Sequence, residues 1–524
     1  MTNPHVYVAM ADILNLRCDA WLLPTDASVR IEHHWLVAHP ELRKLAATSA
    51  SADFRDGVSL AEAIRPWDNN VPLPIMTAVP EDANWTPAAV TKRLEAFVRS
   101  AMAAIPESGK RPQRLLALPF FGTAGGGAGN HLGAALRAIL DACIDLASRY
   151  GIDLVLVLRD KAAFSLAQKL RRGASDQSSW PSLGSQLHET ARSLGGIARA
   201  GQLVPFLGAG VSVSAGAPSW SQLLGKLKEG VQFETIDDKS FDRLNLLDQA
   251  GVLEQLYADQ GKSQNAFGEA IAQAVDLPKY GLAPALLATL PSAGAITLNY
   301  DRLFEKACSD AQMPRTVLPE NVPAVGNNWL LKLHGSVTQP DSIVLTRDDY
   351  LGYNSNRDAL SALVKAHLLT HHLLFVGFGL ADDHFHEIVH DVRRALPGDA
   401  SKSHKMGTVL SLFHEPLQNL VWAGRLDILP MSGVAPDLDF DKVATQAAVA
   451  AAGRELEIFL DMMMAYATDN HSYLLAPAYN RGLSNHESQL RQQLLALAEH
   501  ERSADTAEVW GVIDTALREL GLKT

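Results

Sequence analysis

The sequence predicts an α/β protein in two successive domains, each a parallel sheet covered by helices. Three observations lead there. Short apolar runs alternate with segments of helical period, the order of strand–helix–strand units. Several of those runs are apolar on both faces, as central strands of a covered parallel sheet must be. One composition break, RRGASDQSSWPSLGSQ at 171–186, replaces periodic hydrophobics with Ser, Gly and Pro. The expected organisation is a first domain over 1–172, a linker and lead-in helix over 173–198, a second domain over 199–450 and a helical region over 451–524.

In the first domain, VYVAMADI at 6–13 and AWLLPTD at 20–26 read as strands. AAVTKRLEAFVRSAMAAI at 88–105 carries apolar residues at helical spacing. RLLALPFFG at 114–122 is a buried strand entering a glycine-rich turn, followed by a helix over about 131–148 and a strand, LVLVLRD, at 154–160. In the second domain LVPFLGAG at 203–210 is a strand running into glycines. Residues 220–290 are mostly helical. Four more strands are expected: AITLNYD at 295–301, NWLLKLHGS at 328–336, HLLFVGFG at 372–379 and GTVLSL at 407–412. After 450 the pattern is helical, and nothing in it says whether those helices pack on the second domain or join copies of the chain.

Composition narrows the class. Of 524 residues, 47% are hydrophobic and 20% charged, as in a folded soluble protein. The net charge of −12, from 46 basic and 58 acidic residues, argues against a nucleic-acid partner. No apolar run approaches the roughly 20 residues of a membrane span. MTNPHVYVAMADI has no basic flank before a long apolar stretch, so a cytoplasmic location is expected. Three scattered cysteines, Cys18, Cys143 and Cys308, exclude a four-cysteine zinc site within one chain, and no metal is expected.

Ligands of open parallel sheets bind outside the carboxyl ends of the strands. Four polar or glycine-rich clusters of the second domain stand there: Gly208-Ala209-Gly210-Val211-Ser212, Asn299-Tyr300-Asp301, His334-Gly335-Ser336, and Gly377-Phe378-Gly379 with Asp382. The glycines suit close approach of backbone amides to a pyrophosphate, or equally a tight turn without a ligand. Asn299 suits a ribose hydroxyl or a water, or an Asx-turn closing the strand. His334 is a usable general base, although a lone histidine is more often structural.

Together, PFLGAGVSVSAGAPSW at 205–220, TLNYD at 297–301, KLHGS at 332–336 and VGFGLADD at 376–383 resemble the sirtuin family in order and spacing. The resemblance implies a Rossmann-like NAD-binding domain with a smaller insertion. It implies that Gly208, Ala209, Gly210 and Ser212 contact the dinucleotide, and that Asn299 and Asp301 line the nicotinamide-ribose pocket. His334 is then the catalytic base, with Gly377, Gly379 and Asp382 near the ribose or adenosine. The departures are informative. The zinc ribbon of deacylating sirtuins cannot form, and Ala217-Pro218-Ser219-Trp220 replaces their Pro-Asp-Phe-Arg. These features look more like the sirtuin-like NADases of bacterial anti-phage defence. That implies an NAD glycohydrolase releasing nicotinamide and ADP-ribose, which depletes NAD in abortive infection and acts as a homo-oligomer. A protein deacylase or ADP-ribosyltransferase, or a non-catalytic NAD or ADP-ribose sensor, are the alternatives.

The first domain resembles a macro domain, of α/β/α layering, more faintly. Ala11-Asp12-Ile13 and Cys18-Asp19-Ala20 stand in for that family's Gly-Asp-Ile and Val-Asp-Ala, while Pro24-Thr25-Asp26 replaces its asparagine-rich segment. PFFGTAGGGAGNHLGAAL at 119–136 looks like its phosphate loop. The resemblance implies that Asp12 holds an adenine edge and that Gly122, Gly125, Gly126 and Gly127 present amides. A sensor for an ADP-ribose-type activator, gating the second domain, is the expectation by analogy.

Overall fold

A computed structural model of the chain describes residues 3–68, 70–80, 86–106, 111–122, 131–173, 179–231, 238–260, 265–398, 404–433, 443–499 and 507–523. The chain divides into two units, Met1–Gly195 with Glu457–Thr524, and Gly196–Leu456. Each has its own sheet, as the alternation of strands and helices predicts.

In the first unit the strands are β1 (Val6–Met10), β2 (Ala20–Thr25), β3 (Ala61–Ala63), β4 (Leu73–Ala78), β5 (Leu115–Pro119) and β6 (Asp153–Leu158), in the order β1-β6-β5-β2-β4-β3. All pairings are parallel except β3 with β4. β1 and β6 are buried at every position, which is why they read as unbroken apolar runs. β4 was not foreseen: Leu-Pro-Ile-Met-Thr-Ala begins beside two prolines that read as a loop signal.

A buried carboxylate joins the beginning and the end of this unit. Asp461, on the helix Val443–Ala467, is fully buried. Its oxygens accept from His5 Nε2 at 2.8 Å, Trp180 Nε1 at 2.8 Å and Val8 N at 3.2 Å. Arg171 binds both oxygens, Nη1 to Oδ1 at 3.0 Å and Nη2 to Oδ2. Burial alone raises a carboxyl pKa, but the Arg171 charge and His5 outweigh it and hold Asp461 far below the usual range. Arg111 adds a 2.7 Å pair with Glu457 one turn earlier. The C-terminal helices therefore complete the first unit, an arrangement outside both readings left open by the sequence. The linker expected over 171–186 also needs correcting. Arg171 and Trp180 lie within it, and both are buried because Asp461 requires their donors.

The second unit has an all-parallel seven-stranded sheet. Its strands are β7 (Leu203–Leu207), β8 (Gly294–Thr297), β9 (Thr316–Leu318), β10 (Trp329–Lys332), β11 (His372–Val376), β12 (Gly407–Ser411) and β13 (Asp427–Pro430), ordered β13-β12-β11-β7-β8-β10-β9. The chain starts in the middle at β7, builds outward through β8, then returns to the other side of β7 with β11. This Rossmann-like order puts a topological switch point between β7 and β11, where a ligand crevice is expected. Phe206 of β7 and Phe375 of β11 meet with ring centroids 5.1 Å apart and anchor the core there. Helices Trp220–Glu229, Leu246–Asp259 and Ala266–Val275 form the insertion around their own core of Leu223, Leu253 and Ile271. Among the described residues no helix is long and apolar enough to cross a membrane.

Replacing Asp461 by Ala leaves Arg171 and His5 buried without their partner. The expected cost is ~3–5 kcal/mol, read as a lower urea midpoint of the full chain; an unchanged midpoint would remove Asp461 from this role.

Candidate active site

Both loops at the switch point are glycine-rich, and they touch backbone to backbone. Gly208 N donates to Val376 O at 3.0 Å, and Gly210 N donates to Gly377 O at 2.9 Å. A Cβ on Gly208 would lie 2.4 Å from Gly377 O, and one on Gly377 would lie 2.4 Å from Val211 N. Gly377 also has φ +64°, where an L side chain is strained. Phe378 then packs on Phe206 at 5.0 Å, clamping the second loop. The sequence left open whether the Gly208 and Gly210 amides approach a pyrophosphate or close a tight turn. In the structure both amides bond the neighbouring loop. Ala209 and Gly210 are nonetheless exposed, as is Gly379, whose carbonyl accepts from Gln418 Nε2 at 3.2 Å.

Asn299 follows β8 by two residues and is held from below. Its Nδ2 donates to Gly208 O at 3.1 Å and to Ser212 Oγ at 3.3 Å. Because a carbonyl only accepts, the first bond fixes which end of the amide is nitrogen and leaves Oδ1 as its acceptor end. Ser212, almost fully buried, donates its own hydrogen to Asp301 Oδ2 at 2.8 Å. Asp301 Oδ1 accepts from Leu303 N at 2.9 Å, and Lys332 Nζ donates to the Tyr300 and Asp301 carbonyls while pairing with Glu305 at 2.7 Å. Burial raises the Asp301 pKa against these donors. Ser212 and Asp301 thus hold Asn299 in place, and Ser212 has no hydrogen left for a phosphate. The resemblance implied that Ser212 contacts the dinucleotide and that Asp301 lines the nicotinamide-ribose pocket.

His334 follows β10, again by two residues. Tyr353 Oη and Arg357 Nη1 donate to the carbonyl of the preceding Leu333, at 3.2 and 2.7 Å, and fix the strand's end. Gly335, at φ +89°, then turns the chain so tightly that a Cβ would strike Ser342 O. His334 is 4% exposed; its Nε2 has no hydrogen-bond partner among the described residues and lies 3.8 Å from Asp382 Oδ2. Burial pushes its pKa down to about 4, assisted by His384 and Arg357 and opposed by Asp382. Asp382 caps the helix Asp383–Ala395 through Phe385 N at 2.9 Å and accepts from Tyr350 Oη at 2.9 Å. His334, Asp382 and His384 line one side of a small cavity whose other wall includes Phe206 and Leu298.

Sequence reasoning missed four residues here: Tyr350, Tyr353, Arg357 and His384. The two tyrosines lie three residues apart on the helix Arg347–Thr370 and so share a face, which was the available signal. His384 directly follows the matched VGFGLADD segment. Ser219, at the position where the sirtuin pattern departs, forms a capping box with Gln222 that starts the first inserted helix.

In the first unit Asp12 is already engaged, with Leu14 N at 3.0 Å and the exposed Arg159 at 3.1 Å. Asp19 serves the sheet, accepting from Leu115 N at 2.7 Å. Gly122 has φ +76°, and Gly125, Gly126 and Gly127 lie outside the described residues.

Residues 293–422 match the SIR2-like domain family. That span holds Asn299, His334, Gly377 and Asp382, whereas the Gly208–Ser212 turn precedes it. The chain is similar to Defense-associated sirtuin 2 of Bacillus subtilis, 31% identical over 204 residues, 37% of this chain and 20% of the relative. It is also similar to the proteins named NAD(+) hydrolase ThsA of Bacillus cereus and Enterococcus faecium. These are 30% and 31% identical over 199 and 211 residues, covering 37% of this chain and 40% and 41% of theirs. The chain thus spans less than half the length of each of these relatives.

Gly377→Ala forces a left-handed alanine against the Val211 amide and is expected to cost at least ~2 kcal/mol. Gly379→Ala meets open space and is expected to leave stability unchanged. Urea unfolding of both full-length variants checks the pair, and equal midpoints would contradict the interlocked loops.

Proposed function

We propose that the second unit binds NAD at the switch point and hydrolyses its nicotinamide–ribose bond, acting as an NAD-depleting effector of bacterial anti-phage defence. The observation that carries this is Asn299, fixed with its Oδ1 free at the switch-point rim, on a parallel sheet whose next strand end presents an unpartnered His334. The similarity of this region to proteins named NAD(+) hydrolase ThsA supports the same reading.

The chemistry asks little of a base. Nicotinamide leaves as a neutral molecule from a cationic ring, so the ribose acquires oxocarbenium character before water bonds to it. Asn299 Oδ1 orients a ribose hydroxyl or the attacking water. His334, kept neutral by burial, accepts a proton from that hydroxyl or water through a nitrogen lone pair. Water then completes the reaction, giving nicotinamide and ADP-ribose. Ala209, Gly210 and Gly379 offer the exposed backbone along which the dinucleotide lies, while Gly208 and Gly377 shape it. We assign the first unit, with Asp12, Gly122, Gly125, Gly126 and Gly127, the role of a macro-like sensor for an ADP-ribose-type activator. The effector works as a homo-oligomer in the cytoplasm. Such gating requires the activator to bind the active state more tightly than the resting one.

Full-length Asn299→Ala and His334→Ala are expected to lose ~100-fold or more of nicotinamide release, with and without ADP-ribose present, while remaining folded, as shown by a cooperative urea transition. Parental turnover in either folded variant would sink its assignment.

The acid limb of the pH profile gives a second check. A base lowered to about 4 stays neutral from pH 8 to pH 5.5, so kcat/KM holds level over that range. A histidine at its ordinary value near 6.5 would lose about tenfold by pH 5.5. That loss would show His334 to be solvated or not the base.

A further inference from the structure

The cavity beside His334 contains two buried imidazole nitrogens with nothing to bind. His334 Nε2 is one and His384 Nδ1 is the other; their residues are 4% and 9% exposed. An unpaired polar atom in such a place costs ~1–3 kcal/mol, so two facing one cavity call for a common partner.

The partner's chemistry can be read from the bonds already made. His384 Nε2 lies 3.1 Å from Tyr350 O. A carbonyl only accepts, so Nε2 carries the hydrogen and the neutral ring presents a lone pair at Nδ1. A histidine whose other nitrogen donates to a backbone carbonyl is oriented as metal-bound histidines are. Asp382 is oriented similarly, Oδ2 accepting from Tyr350 Oη and Oδ1 from Phe385 N. His384 is further fixed by stacking on Tyr350 at 4.4 Å. The ligand atoms of His334, Asp382 and His384 all lie within 4.8 Å of one another. A tetrahedral zinc site with bonds of ~2.0–2.1 Å needs spacings of ~3.3 Å, a closure of under about 1 Å per side chain. The cavity, about 10 Å³, has room for one small occupant between these side chains, the size of a single ion or water.

We propose that His334, Asp382 and His384 form a zinc-binding site, and that zinc bound there silences the enzyme by occupying the lone pair His334 needs as a base. Two nitrogens and one carboxylate oxygen in a small enclosed site suit zinc, which imposes no geometry of its own. The three cysteines exclude only a four-cysteine site and do not bear on this one. The silencing rests on His334 being the base; the binding does not.

Chelator-treated full-length protein is titrated calorimetrically with zinc, and separately with cobalt(II), whose visible absorption reports tetrahedral coordination. One zinc per chain is expected, with affinity at least tenfold weaker in His384→Ala and in Asp382→Asn, which keeps the cap to Phe385 N. No stoichiometric binding, or equal affinity in both variants, overturns the site. Saturating zinc is expected to lower nicotinamide release more than tenfold, with recovery on adding EDTA. Turnover unchanged or raised with one zinc bound overturns the silencing. If nicotinamide is never released, the proposed function falls while the calorimetry and cobalt spectrum still decide the site.

Discussion

Two loops of the second unit pass each other at the sheet's switch point with no side chain between them. The amides of Gly208 and Gly210 after β7 bond the carbonyls of Val376 and Gly377 at the end of β11, at a separation no Cβ tolerates. The contact locks the two loops together at the switch point, where open parallel sheets bind their ligands. Asn299 is anchored to the Gly208 carbonyl, and Asp382 begins its helix five residues after Gly377. Movement of either loop would displace an amide on one side and a carboxylate on the other. Glycine here is thus a condition for Asn299 and Asp382 to hold their positions.

A second division of labour runs from the rim inward. Asn299 meets the crevice, Ser212 holds Asn299, Asp301 holds Ser212, and Lys332 donates to the Asp301 backbone. Asn299 is partly buried while Ser212, Asp301 and Lys332 beneath it are all buried, and the Lys332 charge is balanced by Glu305. His334 is supported in another way, by aromatic rings and the Leu333 carbonyl bonds. Packing leaves its lone pair unpartnered and lowers its basicity. A dissociative bond cleavage tolerates that loss far better than proton abstraction from carbon would.

The sheet of the second unit was legible because β7, β8, β10, β11 and β12 are short apolar runs ending in glycine or a polar residue. β9 was not, since Thr316–Leu318 is only three residues long. The site was legible as a set of strand ends, but the roles within it were not all legible. Sequence separates neither a glycine that admits a ligand from one that admits another loop, nor a serine facing a phosphate from one facing a buried aspartate. Tyr350 and His384 were missed because their stacking arises from packing between two helices. Asp461 was invisible for a plainer reason: its partner Arg171 lies 290 residues earlier, and nothing local marks either residue.

That separation has a consequence for biosynthesis. A ribosome adding ~5–20 residues per second needs ~15–60 s to travel from Arg171 to Asp461. Throughout that interval the first unit lacks the acceptor that its His5, Arg171 and Trp180 were placed to meet. The whole of Gly196–Leu456 is synthesised during the same wait. A nascent chain therefore holds every residue of the crevice before its first unit can close. Prematurely terminated chains would carry a complete second unit and an unfinished first one, a natural target for proteolytic clearance.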